Sequence, residues 1–92
     1  MEKPKYKEIT INYEAGIHAR PASQIAKIAK KAKSAIYIQK NNQVADATGV
    51  TDILTLFCPK GSKIKVCADN PADKIIIDEI IELIKNDFKE NT

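Results

Sequence analysis

The sequence has very little of the side-chain chemistry on which most enzyme sites and metal sites are built. It contains one histidine, two cysteines and no tryptophan, and aromatic residues make up only 5% of it. Cys58 and Cys67 are too far apart for a CxxC redox or zinc motif, and a single histidine cannot complete a ligand set with them. We therefore expect no structural metal, no cofactor and two free thiols, which suit a reducing cytoplasm.

Long apolar runs are also missing, which excludes a membrane-spanning helix of about 20 apolar residues. Residues 1–5 carry charges with no apolar stretch behind them, so we expect no secretory signal. A length of 92 residues predicts a single domain over residues 1–92, and an apolar fraction of 43% is enough for one core. The formal net charge of +3 is mild; it favours acidic partners but does not demand a nucleic acid.

What the sequence does contain is a regular alternation of two hydrophobic periods. Alternating apolar residues from Ile9 to Tyr13 predict a strand, and apolar residues three and four positions apart predict a helix from about Pro21 to Lys33. The other predicted elements are a strand at 35–40, a tight turn at Asn41-Asn42, a strand near 43–46, a short helix over 50–57 ended by Pro59, a strand at 63–68, and a helix capped by Asn70 whose apolar stripe reaches Phe88.

The order strand, helix, strand, strand, helix, strand, helix predicts an α+β open-faced sandwich, with the helices on one face of a mainly antiparallel sheet. Periodicity alone does not separate this fold from a ferredoxin-like arrangement with an extra C-terminal helix, because both share the first six elements. Asp73 lies in the first turn of the last helix, where the helix dipole favours an acidic side chain.

The single histidine and the single arginine stand together in the stretch GIHARPASQIAKIAKKAK, residues 16–33. Pro21 suits the first turn of a helix, which leaves the amides of Ala19 and Arg20 without intrahelical partners. Such a helix start binds anions, arginine grips phosphate with a planar fork of donors, and a neutral histidine ring is a nucleophile. These residues point to a histidine that accepts a phosphoryl group, while the alternative of a merely polar His18 at a helix start stays open.

The segment GIHARPAS, residues 16–23, resembles the active-site signature of the HPr family, the histidine-containing phosphocarriers of the bacterial phosphoenolpyruvate-dependent sugar phosphotransferase system. The resemblance extends from about Tyr6 to Phe88. It implies a four-stranded antiparallel sheet with three helices on one face. It also implies a carrier, not an enzyme, that takes a phosphoryl group from enzyme I and passes it to the A domains of sugar permeases, working as a monomer in the cytoplasm.

The resemblance assigns roles to several side chains. His18 would be phosphorylated on its Nδ1 atom, with Arg20, Ala19 and Gly16 binding the phosphoryl group; Gly16 would also let the chain turn so that the ring stays exposed. The family's partner surface comes from the first helix and the short second helix. Its matching positions, besides Ala19 and Arg20, are Gln24, Lys27, Val50, Thr51, Ile53 and Leu54.

Some of these surface positions have a plainer interpretation. For Lys27, a solvated helix face is at least as good an explanation as a specific contact. Among Val50, Ile53 and Leu54, core packing is expected to claim at least one, because helical residues at this spacing cannot all face outwards.

The short second helix departs from the family pattern. Gly49 stands where many Gram-positive relatives carry a regulatory serine, so we expect that regulation to be absent. Thr48 is expected to cap the helix. Asp52 adds a negative charge at a commonly neutral or basic position, and Phe57 is bulky where small residues are common. These departures bear on partner choice, not on phosphohistidine chemistry.

Two other functions remain open on the sequence alone. The same chemistry could serve a regulatory relay in an organism without sugar permeases. A small basic module that binds nucleic acid is suggested by four lysines of the first helix, Lys27, Lys30, Lys31 and Lys33. The scarcity of aromatic residues, with no pair on a strand as a stacking platform, argues against it, so we expect no nucleic-acid partner.

Overall fold

The computed structural model describes residues 5–89. The strands are β1 (Lys5–Thr10), β2 (Ile36–Lys40), β3 (Gln43–Asp46) and β4 (Lys63–Ala68); the helices are α1 (Ala19–Ala29), α2 (Val50–Thr55) and α3 (Lys74–Lys85), with a 3₁₀ turn at Pro71–Asp73 before α3. This order confirms the prediction. We also expected no secretory signal in residues 1–5. Of these residues the structure describes only Lys5.

The four strands form one antiparallel sheet in the order β1-β4-β2-β3. β1 lies at an edge and pairs only with β4, whereas a ferredoxin-like sheet has its first strand in the interior. The order therefore decides between the two arrangements left open by the sequence, and the open-faced sandwich is confirmed.

The core lies between the sheet and the three helices, which pack on the same face. Side chains that alternate along the central strands point into it: Ile36, Ile38, Ile64, Val66 and Ala68. α1 contributes Pro21, Ala22, Ile25, Ala26 and Ala29, and α3 contributes Ile76, Ile77, Ile80, Ile81 and Ile84. Phe88, beyond the end of α3, is completely buried, so the predicted apolar stripe is confirmed as core.

Several predicted boundaries were wrong. β1 begins at Lys5 and not at Ile9, and α1 begins at Ala19 and not at about Pro21. β1 ends at Thr10, because Ile11 leaves the regular ladder, exchanging hydrogen bonds instead with Ser62 and Gly61. α1 ends at Ala29 and not at Lys33. α2 ends at Thr55, so the side chain of Phe57 is not part of the helix's inner face and is exposed.

Asp73 ties the segment after α1 to the start of α3. Its carboxylate accepts hydrogen bonds from the Lys33 amide at 3.0 Å, and from the Ser34 amide and hydroxyl at 2.7 and 2.5 Å. Amides that a longer helix would use are thereby tied to the start of α3. Asp73 is only 3% exposed. Its hydrogen bonds stabilise the charged carboxylate and therefore lower the pKa of Asp73.

Two predicted helix caps had different outcomes. The Asn70 side chain accepts from the Ala72 amide at 2.8 Å, which confirms it as the cap of the last helical segment. The Thr48 prediction was wrong: Gly49 is the N-cap of α2, and the Thr48 hydroxyl instead donates to Asp46 at 2.7 Å. The predicted turn at Asn41-Asn42 closes the β2–β3 hairpin with Asn41 at φ 54°.

Candidate functional site

A tight turn immediately precedes His18 and places it at the start of α1. Gly16 has φ +70°, and a Cβ atom at this position would lie 2.6 Å from the Cys58 carbonyl oxygen and 2.8 Å from the Pro59 Cα. The next residue, Ile17, forms an isolated antiparallel bridge with Cys58 through a hydrogen bond of 2.8 Å. Only glycine lets the two chain segments approach this closely, and the approach fixes where His18 leaves the turn.

His18 is the N-cap residue of α1 and is exposed. Its backbone is extended, its carbonyl accepts from the Ala22 amide at 3.0 Å, and its side chain makes no capping bond. Among the described residues, neither the Ala19 amide nor the Arg20 amide has a hydrogen-bond acceptor. The first turn of α1 contains no acidic residue, so this helix start presents free donors and a partial positive charge next to the imidazole.

The imidazole has an aromatic neighbour that the sequence did not reveal. Tyr13 stacks on His18 with ring centroids 6.1 Å apart and an interplanar angle of 23°. On its other side Tyr13 meets the edge of Phe88, with centroids 5.4 Å apart. The Tyr13 ring is thus a platform for the His18 ring, and its contact with the buried Phe88 connects it to the core.

Arg20 is held beside this platform by the other end of the chain. Its Nη2 donates to the Tyr13 hydroxyl at 3.1 Å, and its Nη1 lies 3.4 Å from the Phe88 carbonyl oxygen and 3.5 Å from Gln24 Oε1. Gln24 also donates through Nε2 to the Phe88 carbonyl at 3.1 Å. Within residues 5–89 every acceptor of the guanidinium is neutral, and the bond to Tyr13 holds it in the same region as the His18 ring that Tyr13 stacks on.

The role predicted for Gly16 in binding the phosphoryl group stays a prediction, and the geometry of the residue favours a different role. Its amide, the one donor that a glycine offers, already donates to the Tyr13 carbonyl at 2.9 Å, and the residue is buried. Gly16 shapes the turn instead, as the sequence also indicated. Pro21 lies one position further into the first turn than Arg20 and is buried against the core.

Two acidic side chains, Glu14 in the turn before α1 and Asp52 in α2, already have partners. The Glu14 carboxylate meets Lys60 Nζ at 2.8 Å, and this lysine lowers the pKa of Glu14. The Asp52 carboxylate accepts from the Asp46 amide at 2.9 Å, so the unusual acid of α2 serves the β3–α2 connection. Because the pair with Lys60 is exposed, we assign it little stability.

The predicted partner-surface residues divide into three groups. Lys27, Thr51 and Leu54 are exposed, Leu54 at 38%. Gln24 and Val50 are half-buried, and the Gln24 amide serves Phe88. Ile53 is 1% exposed, which confirms that the core claims one of the apolar residues of α2.

A shallow cavity of about 320 Å³ opens next to the histidine. Its walls are formed by Ala15, Ile17, His18, Leu54, Phe57, Cys58 and Pro59. Burial raises the pKa of the Cys58 thiol. Both cysteines are free.

Sequence reasoning missed Tyr13 and Phe88 as site residues. Phe88 acts through a backbone carbonyl, which no residue type reveals. The sequence did offer one indication for Tyr13, its position five residues before His18. We interpreted Tyr13 only as the last residue of the predicted strand.

Within residues 5–89 there is no group of three or more His, Cys, Asp or Glu side chains able to hold a metal ion. None of the helices in that part of the chain has the length and apolarity needed to cross a membrane.

The comparisons with known proteins agree on one family. The model for PTS-HPr, described as "PTS HPr component phosphorylation site", matches residues 5–86. The chain is 34% identical over 84 residues to the phosphocarrier protein HPr of Borreliella burgdorferi, covering 91% of this chain and 96% of that protein. It is 31% identical over 88 residues to the phosphocarrier protein NPr of Proteus mirabilis, covering 95% and 98%. A crystal structure of HPr from Thermoanaerobacter tengcongensis superposes with a TM-score of 0.87 at 30% identity, covering 96% of this chain and 99% of that one.

Proposed function

The chain belongs to the HPr family of phosphocarriers of the phosphotransferase system, and from the geometry of its site we propose that His18 is the residue that carries the phosphoryl group. The observation that supports this most directly is the placement of the exposed His18 ring at a helix start whose Ala19 and Arg20 amides have no acceptor within the described chain. We further propose that residues 1–92 act as one domain.

Loading and unloading are two displacements at phosphorus. A lone pair of the His18 imidazole attacks the phosphorus of the donor, the N–P bond forms, and the donor's bond to phosphorus breaks with its electron pair staying on the donor. In the second step a nucleophile of the acceptor attacks the same phosphorus, and the N–P electron pair returns to the imidazole. The resemblance to the family assigns the bond to Nδ1.

Arg20 and the helix start hold the added charge. Arg20 exchanges neutral acceptors, the Tyr13 hydroxyl and the Phe88 carbonyl, for anionic phosphoryl oxygens, so that both partners of each bond carry charge and the planar fork can meet two oxygens at once. The helix terminus adds roughly 0.3–1 kcal/mol. These terms stabilise the phosphoryl group without making its onward transfer prohibitive.

We assign enzyme I as the donor and the A domains of sugar permeases as the acceptors, on family membership. The chain itself is a carrier and not an enzyme, since both reactions need chemistry supplied by the partners. We place it in the cytoplasm, because the phosphoenolpyruvate that charges enzyme I is a product of metabolism there. We also propose that it works as a monomer. We propose that serine-type regulation at the start of α2 is absent, because Gly49, at the matching position, has no hydroxyl.

The partner surface surrounds the histidine. Lys27, Thr51 and Leu54 are exposed on α1 and α2 and are available to a docking protein. Val50 packs against the core and is half-buried, so only part of its side chain belongs to the proposed partner surface. For Gln24 we propose an indirect part: its amide steadies the Phe88 carbonyl that also holds Arg20.

Incubation with phosphoenolpyruvate and enzyme I tests this function. One equivalent of acid-labile, base-stable phosphate is expected on the wild-type chain and none on His18→Ala. Thr55→Ala serves as the control, because it removes an exposed hydroxyl at the end of the neighbouring helix, at a residue not assigned to the partner surface, and leaves the histidine intact. Equal labelling of wild type and His18→Ala would refute the assignment.

A further inference from the structure

Phe57 combines two unfavourable properties in one residue. Its side chain is 72% exposed, and its backbone has φ 52°, the left-handed region that bulky residues rarely adopt. It follows directly on the end of α2, a position at which glycine is the ordinary solution. Neither core packing nor backbone preference accounts for a phenylalanine here.

The exposed ring is nevertheless held in a defined place. Lys40 Nζ lies 5.4 Å from the ring centroid, and the same ammonium group hydrogen-bonds the carbonyl oxygens of Phe57 and, at 3.4 Å, Leu56. The Phe57 amide donates to Leu54 at 3.2 Å. Bonds at both backbone groups hold the Phe57 backbone, and a cation lies over the face of its exposed ring.

Phe57 shares a cavity wall with the reactive histidine. His18, Leu54 and Phe57 line the same opening of about 320 Å³. A phosphoryl group passes between two proteins only when the donor or acceptor atom comes within bonding distance of the His18 ring. Any such partner must therefore cover this opening, and the Phe57 ring lies inside the area that it covers.

We propose that Phe57 is a specificity-determining anchor, whose ring enters an apolar pocket beside the reactive group of the phosphoryl-exchanging partner. This inference rests on the proposed function and adds the chemistry of the partner: an apolar pocket with acidic groups at its rim, facing Lys40. A two-fold pairing of this chain, ring against ring, would bring two Lys40 ammonium groups towards each other, and this repulsion favours a different protein as the partner. Large aromatic side chains at the centre of an interface commonly dominate binding.

The test is steady-state phosphorylation by enzyme I of the same organism, with wild type, Phe57→Gly and Phe57→Tyr. Phe57→Gly is expected to raise the KM for the carrier about tenfold or more with little change in kcat. Phe57→Tyr keeps the ring and is expected to stay within about twofold of wild type. The melting temperature of Phe57→Gly is expected to equal or exceed that of wild type, because glycine relieves the positive φ.

Tyr6→Ala is the matched control. Tyr6 is also an exposed aromatic residue, at 52%, with a lysine ammonium, Lys65, 5.0 Å from its ring centroid, but it stands on β1, on the face of the sheet away from the helices. Its loss is expected to leave the KM unchanged.

Three results would overturn the proposal: an unchanged KM for Phe57→Gly, an equal KM increase for Tyr6→Ala, or a lower melting temperature for Phe57→Gly. A dimer in sedimentation that Phe57→Gly converts to a monomer would also overturn it, by assigning the ring to self-association. If the wild-type chain takes no phosphate on His18, the proposed function itself fails; if it does and the KM is insensitive to Phe57, only the anchor fails.

Discussion

Replacing Gly16 with alanine tests how the turn before α1 places the histidine. The added Cβ would lie 2.6 Å from the Cys58 carbonyl oxygen and 2.8 Å from the Pro59 Cα, both rigid backbone atoms. The positive φ costs an L-residue roughly 1–2 kcal/mol, and forced overpacking costs typically about 1–3 kcal/mol. We therefore expect Gly16→Ala to lower the free energy of unfolding by about 2–5 kcal/mol, with the Ile17–Cys58 bridge displaced.

Gly61→Ala provides the matched control. Gly61 also has a positive φ, +95°, which is further from the left-handed minimum, but nothing lies within 4 Å of its added Cβ. Its backbone penalty is at least as large as that at Gly16, so any excess destabilisation at Gly16 measures the steric conflict. Urea unfolding gives both free energies, and phosphorylation by enzyme I is expected to slow only for Gly16→Ala. If Gly16→Ala unfolds no more easily than Gly61→Ala and is phosphorylated at the wild-type rate, the close approach of the two segments does not position His18.

Two further predictions concern Arg20 and Asp73. Arg20→Lys keeps the charge but loses the planar fork that reaches Tyr13 and Phe88. Phosphoryl transfer, measured by rapid-quench labelling, is therefore expected to slow roughly ten- to a hundredfold. An unchanged rate would contradict a role for the fork. The pKa of Asp73 is lowered below 3.8 in the folded chain, so its stabilising effect is complete above that value and is lost as the pH falls through the lower folded pKa. Asp73→Asn is expected to flatten the fall in unfolding free energy from about pH 5 downward, whereas Glu79→Gln, at an exposed ion pair with Lys31, keeps the wild-type profile; identical profiles for all three proteins would remove Asp73 from the explanation.

The parts of the fold that depend on local pattern were predictable. β3 and β4 were predicted at their observed bounds, because alternation and turn residues decide strands of this kind locally. The ends of α1 and α2 were not. After α1 the amides of Lys31 and Ala32 donate to Ile28 and Ala29 in tighter turns. The Asp73 carboxylate, from a distant part of the chain, then accepts from the next two amides, a contact that no local pattern in α1 reveals.

The candidate site shows the same division. The turn, the helix start and the placement of His18 follow from a few consecutive residues, and the sequence indicated them. The setting of Arg20 depends on Tyr13 and on the return of the C-terminal segment to α1, where the Phe88 carbonyl is presented. Phe57 fitted a helical apolar face by spacing, yet its positive φ turns it outwards, a change of direction that spacing alone does not encode.

Nitrogen NMR of the phosphorylated, ¹⁵N-labelled chain tests the central claim most directly, because the protein has one histidine and its imidazole signals are unambiguous. We predict that a phosphorus coupling appears on one ring nitrogen of His18, together with shifts of the Ala19 and Arg20 amide signals. An imidazole spectrum that stays unchanged while phosphate is bound elsewhere on the chain would contradict the account.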